Sequence, residues 1–311
     1  MLRMITTLAA AGLAATLTAA APAMAQDDAQ AQDETKVIIL GTGTPVPDAE
    51  RSGPSMAVIS GGEAYVFDAG GGMVQRAIEA WQKKGIEELY PTNIKYLFLS
   101  HLHSDHTLDY PELAATYWWR RSDRLQAYGP KGLLGMTFGY YAMQATDIGL
   151  RTSGNQPMKD PTLYQVDAHE IAEDGIIFDR NGVTVEAFSV NHGDIKPSYG
   201  YKITTPDKTI VFSGDTTYSE TLAEKAKGVD VLVHEVISEA GWKALTPDWQ
   251  AYHHSAHTLT SELAQVANTA RPKVLVLTHI LHYDAPIETA RTEVEALYDG
   301  PVVLANDLDE F

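Results

Sequence analysis

Ser100-His101-Leu102-His103-Ser104-Asp105-His106 (SHLHSDH) sets three imidazoles and a carboxylate within six positions. The run before it, residues 94–99 (IKYLFL), has the apolar character of a buried strand, so the cluster begins where a strand leaves its sheet. In extended backbone, residues two apart project to the same side, which aims His101 and His103 at one point. Asp105 and His106 follow after the chain turns and face a second point beside the first. Neutral imidazole nitrogen and carboxylate oxygen are donors that zinc accepts. The chain has no cysteine, so disulfides and thiolate metal sites are excluded and the pattern points to a hydrolytic rather than a structural metal site.

Four side chains cannot complete two metal sites. Three more candidates stand just after other apolar runs: His192 after residues 183–190, Asp215 after 209–212 and His279 after 274–277. A single histidine in such a place is more often a hydrogen-bonded structural residue than a ligand. Three ligand-type residues at three strand ends form a pattern.

The rest of the chain supplies the scaffold. Strand-length apolar runs lie at 37–40, 64–67, 94–99, 183–190, 199–203, 209–212, 229–233, 274–277 and 302–304. Helical periodicity lies at 73–83, 111–121, 133–144, 218–227, 258–270 and 286–298. Mixed elements without a linker predict one α/β domain over residues 37–311. Residues 147–161 read as a turn-rich insertion bordering a pocket, and residues 301–311 end in what reads as a solvated acidic tail.

At the other end, Arg3, the small and apolar run 5–21 and Ala23-Met24-Ala25 have the form of a signal peptide cleaved after Ala25. Residues 26–36 then read as a flexible leader. Export to the periplasm or the exterior is expected, with no membrane association after cleavage. The formal charge of −18, from 23 Lys plus Arg against 41 Asp plus Glu, disfavours polyanions, and no nucleic-acid partner is expected.

HLHSDH, His192, Asp215 in SGDT and His279 in LTHI together resemble the metallo-β-lactamase superfamily, from about residue 37 to the end. The resemblance implies a four-layer αβ/βα sandwich with two Zn2+ on one edge, Mn2+ or Fe2+ being substitutes. His101, His103 and His192 would hold one ion, Asp105, His106 and His279 the other, and Asp215 would bridge. Asp68 in FDAGGG matches an aspartate that orients ligands, and the glycines beside it are not read as a phosphate loop.

LGTGTPVPD (40–48), HEVIS (234–238) and HTLTSELAQVA (257–267) resemble the ribonuclease Z-like branch, which includes secreted arylsulfatase-like enzymes. In that branch a histidine held by a glutamate protonates the leaving group; here these would be His257 and Glu235. A carboxylate behind an imidazole fixes its tautomer and raises its pKa. His253 and His254 compete for the role, and Leu259 replaces the small or hydroxyl residue usual beside it.

The expected reaction is hydrolysis by metal-bound hydroxide. A small sulfate or phosphate ester ranks first as substrate, with an aromatic wall of Tyr117, Trp118, Trp119, Tyr140 and Tyr141 beside it. A lactone or carboxylic ester ranks second. Transfer-RNA 3′ processing ranks lower, because only 23 positions (215 minus 192) separate His192 from Asp215, too few for a substrate-gripping arm. A noncatalytic binding protein would be expected to lack a ligand, and none is missing. Related hydrolases often form a homodimer, which no feature of the sequence decides.

Overall fold

The computed structural model describes residues 34–311; the span read as a signal peptide, 1–25, lies outside the described residues, as does most of the leader. The fold takes hold at Thr35, inside that leader: its hydroxyl donates to Thr205 Oγ1 at 2.8 Å and its amide to Asp207 at 2.9 Å.

Two sheets stand face to face. The first is ordered β1 (Lys36–Gly41), β2 (Ser55–Ser60), β3 (Glu63–Phe67), β4 (Tyr96–Phe98), β5 (Leu125–Gly129) and β6 (Val166–Glu170). The second runs β13 (Val302–Leu304), β12 (Val274–Leu281), β11 (Val231–Ile237), β10 (Thr209–Phe212), β9 (Ile195–Thr204), β8 (Val183–His192) and β7 (Gly175–Arg180). Alternation along each strand decides the layers. Val37 and Ile39 face the opposite sheet while Ile38 and Leu40 face helices, and in β12 Val276 faces inward while Leu275 and Leu277 face outward. Strands buried on both faces read as continuous apolar runs, which made them legible.

Helices α1 (Met73–Lys84), α2 (Tyr110–Ala115) and α3 (Leu133–Met143) cover the first sheet. Beyond α4 (Ala145–Ser153), helices α5 (Glu220–Lys225), α8 (Thr260–Ala270) and α9 (Glu288–Glu295) cover the second. Short α6 (Glu239–Lys243) and α7 (Pro247–Ala256) lie between β11 and α8. The result is the expected four-layer αβ/βα sandwich. Between the sheets, Phe98 stacks on Phe67 at 5.0 Å and Tyr128 at 5.1 Å, with Phe178 edge-on at 5.7 Å. Each such pair adds about 0.5–1.5 kcal/mol to its area burial.

Several expectations need correction. The helix expected over 111–121 stops at Ala115, because Thr116 is extended and Tyr117 is left-handed at φ 49. A single 3-10 turn, Trp118–Arg120, then drives Trp118 into the interior. Strands β2, β5, β6 and β7 were not anticipated; their polar or small residues, as in SMAVIS and VDAHE, dilute the apolar signal. The 147–161 insertion is largely helix α4 at its start. The acidic end is not a solvated tail: it lies along the open edge of β1, where Val37 N donates to Phe311 O, and Phe311 N to Val37 O, both at 2.9 Å. Its charges are matched there, Glu310 by Lys36 at 3.2 Å and Asp307 by Arg76 at 3.0 Å.

Candidate metal centre

Parallel neighbours β3 and β4 in one sheet, and β10, β11 and β12 in the other, all deliver their C-terminal ends to one rim. Asp68 follows β3, residues 100–106 follow β4, Asp215 follows β10, and His192 ends β8. The two sheets are tied at this rim: Tyr199 N donates to Ser100 O at 3.0 Å, and the Tyr201 hydroxyl donates to Leu99 O at 2.6 Å. Gly214 makes the approach possible. It is left-handed at φ +56, and a Cβ there would lie 2.8 Å from both Ser100 Cβ and Tyr199 O.

His103 is extended and opens a 3-10 turn, Ser104–His106, that carries Asp105 and His106 to the second position. His279 arrives differently. The pairing of β11 with β12 runs Glu235 to Thr278 and then Val236 to Ile280, leaving His279 as the extra residue of a bulge, with φ 44. Such bulges re-aim a side chain, here off the strand and into the rim.

All seven expected ligands converge. His103 Nδ1 lies 3.1 Å from His101 Nε2 and 3.0 Å from His192 Nε2. Beside this trio, Asp105 Oδ2 lies 3.2 Å from His279 Nε2 and 3.4 Å from His106 Nε2. Asp215 sits between the groups, Oδ1 3.4 Å from His106 Nε2 and Oδ2 3.5 Å from His279, 3.8 Å from His192 and 4.0 Å from His101.

The donor chemistry fits divalent cations. Among the described residues His106 Nε2 and Asp215 Oδ1 are buried without a hydrogen-bond partner, and three imidazole nitrogens point at one another, an arrangement that is costly unless something positive is shared among them. Burial and neighbouring imidazoles, His106 first for His101 and His192 first for His103, hold these two below the ordinary histidine range; burial does the same for His192. Their lone pairs are therefore free. Burial opposes ionisation of Asp215, yet His279 and His106 keep it well below the carboxylate range.

The tautomers are set from behind. Asp68 is fully buried, and Oδ1 accepts from Ser100 N at 2.7 Å while Oδ2 accepts from Ser100 Oγ at 2.7 Å and from His106 Nδ1 at 2.8 Å. His106 thus presents Nε2. Ser100 Oγ, already donating to Asp68, accepts from His101 Nδ1 at 3.0 Å, so that ring presents Nε2 as well. His192 Nδ1 donates to Ala256 O at 2.7 Å, with the same outcome. Asp68 stands behind His106, where the resemblance places an aspartate, but Ser100 and the Ala256 carbonyl were missed. Ser100 stands inside the motif itself, whereas a backbone acceptor leaves no residue signature. The glycines after Asp68 do not form a phosphate loop: the amides of Gly72 and Val74 already donate to Asp109 Oδ2 at 3.0 and 2.9 Å.

Glu235 and His257 meet at the same rim, His257 Nδ1 3.4 Å from Glu235 Oε2 and 3.9 Å from Asp215 Oδ2. Thr258 N and Thr216 N donate to Glu235 Oε1 at 3.0 and 3.3 Å, while Oε2 and His257 Nδ1 have no other partner among the described residues. The expected rise in the His257 pKa does not occur. Burial lowers it to about 4, and burial together with the charge of Asp215 pushes Glu235 well above the carboxylate range. His254 turns outward to Glu262 at 2.9 Å, and His253 lies between His257 and the surface. His257 does not cap the next helix, which begins at Thr260 behind Leu259.

The expected aromatic wall is elsewhere. Trp118 packs on Trp119 and Tyr164, Tyr141 donates to and accepts from Val166, and the Arg151 guanidinium covers Trp119 at 3.4 Å. Trp119 lines a cleft of about 640 Å³ with Arg121, Lys159 and Leu163. Arg121 is bonded to Ile94 O, at the opposite end of β4 from His101, so this cleft is remote from the histidines. The aromatic rings that do approach them are Trp249, Tyr252 and Tyr283, through His253.

Comparison with known proteins gives the same family. Residues 64–280 match the Beta-lactamase superfamily domain. Ribonuclease Z of Mycobacterium sp. (strain KMS) is 34% identical over 279 residues, covering 88% of this chain and 94% of that protein. Among solved structures, the metallo-beta-lactamase fold protein YhfI from Bacillus subtilis superposes with a TM-score of 0.69 at 18% identity, covering 90% of this chain and all of that one. The short form of human tRNase Z superposes with a TM-score of 0.64 at 21% identity, over 89% and 98%.

The near full-length match to ribonucleases overturns two expectations: a small sulfate, phosphate, lactone or carboxylic ester as substrate, and the absence of a nucleic-acid partner. Net charge was the wrong guide, because it is a property of the whole surface whereas a phosphodiester is gripped locally. The short His192–Asp215 interval is indeed filled by β9 and β10, but it bears on an arm rather than on the cleaving centre. The chain is a metal-dependent hydrolase that belongs to the metallo-β-lactamase superfamily, in its ribonuclease Z-like branch.

Proposed function

We propose that this chain cleaves phosphodiester bonds of RNA with two zinc ions, in the manner of the ribonuclease Z proteins it resembles. The observation that carries this reading is the convergence of two donor groups, His101-His103-His192 and Asp105-His106-His279, on either side of Asp215. When bound there, zinc supplies Lewis acidity toward a phosphoryl oxygen and lowers the pKa of water. Asp68, Ser100 and the Ala256 carbonyl hold the imidazoles with their lone pairs inward. Both Glu235 Oε1 lone pairs are taken by backbone amides, so its proton resides on Oε2, facing His257 Nδ1. His257 then carries its own proton on Nε2 and delivers it to the leaving oxygen, while Glu235 replenishes Nδ1 across a gap that closes by a few tenths of an ångström.

The test is cleavage of a precursor transfer RNA bearing a 3′ trailer, before and after chelation and after return of zinc. Loss and recovery of a single cut is expected; cleavage indifferent to chelation, or no cleavage with zinc restored, refutes the reading. Export is part of the same proposal, supported by the A-x-A site before Gln26. Its check is a mature N-terminus at Gln26 in the secreted or periplasmic fraction.

A further inference from the structure

Helix α7 is seated on the metal centre by its C-terminal end. Of the carbonyls a helix leaves free there, His254 O accepts from Thr217 Oγ1 at 3.1 Å, Ser255 O from Gly193 N at 3.0 Å and Ala256 O from His192 Nδ1 at 2.7 Å. One face of this helix carries rings toward the site. Trp249 stacks on His253, four residues later, with centroids 5.5 Å apart and planes at 23°. His253 lies 5.9 Å from His257, which stacks on His279 at 5.7 Å and 18°. Tyr252 stands edge-on to Trp249 and His253, and Tyr283 closes the other side of His253 at 5.2 Å.

The outer end of this ladder is open. Trp249 is 56% exposed and Tyr252 51% exposed, and the only residue α7 buries is Ala256. Packing therefore does not account for an indole and a phenol on this face. His253 Nδ1 has no hydrogen-bond partner among the described residues, and burial with the neighbouring His257 lowers its pKa to about 4, so His253 brings no charge to the outer rings near neutrality. In a chain of net charge −18, an uncharged π surface is the means of holding a nucleotide that does not rely on phosphate attraction.

We infer that Trp249 and Tyr252, backed by His253, form the platform on which a nucleobase stacks, and that this base belongs to the nucleotide on the leaving side of the scissile bond. The side follows from where the ladder enters the site, at His257, the imidazole that serves the leaving oxygen. The inference rests on the proposed RNA cleavage and adds to it the residues that grip the substrate.

The experiment crosses Trp249→Ala and Trp249→Phe with two zinc-loaded RNA substrates, one intact and one abasic at the nucleotide on the leaving side. Stacking predicts that Trp249→Ala raises KM on the intact RNA about 5- to 150-fold, with kcat within about twofold. Trp249→Phe, which keeps a ring, should stay near the unaltered protein. On the abasic RNA the unaltered protein should show the same rise in KM, and Trp249→Ala should add nothing to it. Equal KM values on intact RNA, or a Trp249→Ala penalty that persists undiminished on the abasic RNA, overturn the platform. If the alanine variant fails to fold, the abasic substrate on the unaltered protein decides, since a KM unchanged by loss of the base is equally fatal. Failure of the unaltered chain to cut either RNA refutes the cleavage reading itself and this inference with it, whereas cleavage without any effect at Trp249 refutes the platform alone.

Discussion

Asp68→Asn keeps the size of a fully buried side chain and reverses part of its hydrogen bonding. Asparagine tolerates the left-handed backbone at this position, φ 59, so strain is not introduced. Its carbonyl still accepts from Ser100 N, but its NH2 group now stands where Oδ2 accepted from Ser100 Oγ and His106 Nδ1. Both partners must become acceptors. His106 then carries its proton on Nε2, the atom facing Asp105 and Asp215. Ser100 Oγ turns its hydrogen toward His101 Nδ1, and that ring's proton moves to Nε2 as well. Two nitrogens offered to cations lose their lone pairs.

Recovering the productive tautomers forfeits two bonds to a charged acceptor, each about 1.5–3 kcal/mol. Together they come to about 3–6 kcal/mol, roughly 10²- to 10⁴-fold in affinity. Changes behind a ligating histidine typically cost about 10- to 100-fold, which places the expected loss near the lower figure. The assay is competition for zinc between metal-stripped protein and a chromophoric chelator, with circular dichroism to establish the fold. A zinc Kd within threefold of the unaltered protein, fold intact, would refute the tautomer argument.

Glu235→Gln should leave the metal-free protein at least as stable as before near pH 7. Burial and Asp215 raise the folded pKa of Glu235 above its ordinary 4.5, so its stabilising contribution is present below that value and is lost as pH rises toward the folded pKa. The advantage of the variant should therefore vanish below about pH 4.5; urea titrations at several pH values check the sign. The same variant cannot return a proton to His257, and kcat for RNA should fall by about 10²-fold or more. Gly214→Ala should cost about 2–4 kcal/mol in urea unfolding, from the left-handed backbone together with the collision against Ser100 and Tyr199; a loss under 1 kcal/mol would count against the close approach of the sheets. For RNA cleavage, KM should fall as salt is raised from low values to about 0.15 M, because screening weakens the repulsion from a surface of charge −18. A KM that climbs steeply over that range would point to a basic binding surface instead.

The metal centre was legible because its residues sit where buried strands end, and both signals are local: an apolar run, then a ligand. Asp215 after TIVF and His192 at the end of β8 are of this kind. His279 was legible by type but not by geometry, since the bulge that aims it depends on pairing with β11. The edge strands β6 and β7 escaped notice because one face of each meets water, as in VDAHE and GIIFDR. Helix α7 escaped for a related reason, since PDWQAYHHSA has no apolar stripe and is held by its carbonyl end rather than by a buried face. The aromatic residues at 117–119 were misread because sequence proximity to the metal motif does not carry around the turn at Tyr117. The Glu235–His257 pair was found, yet the direction of its proton affinity was not, because two groups that are both desolvated shift oppositely to an exposed pair.

Four of the seven converging side chains come from the half of the chain that builds the first sheet, and three from the half that builds the second. His103 and His192 are 89 residues apart, Asp105 and His279 174 apart. Ions held between such pairs would staple the two halves together, much as cystine bridges do in other proteins, in a molecule that has no cysteine with which to make them. A covalent tie across a loop of about 100 residues restricts the unfolded chain by about 4–5 kcal/mol. Stripping the metal would on this view do more than silence the chemistry: it would cut the fasteners along the seam, leaving the halves joined only by their shared interior.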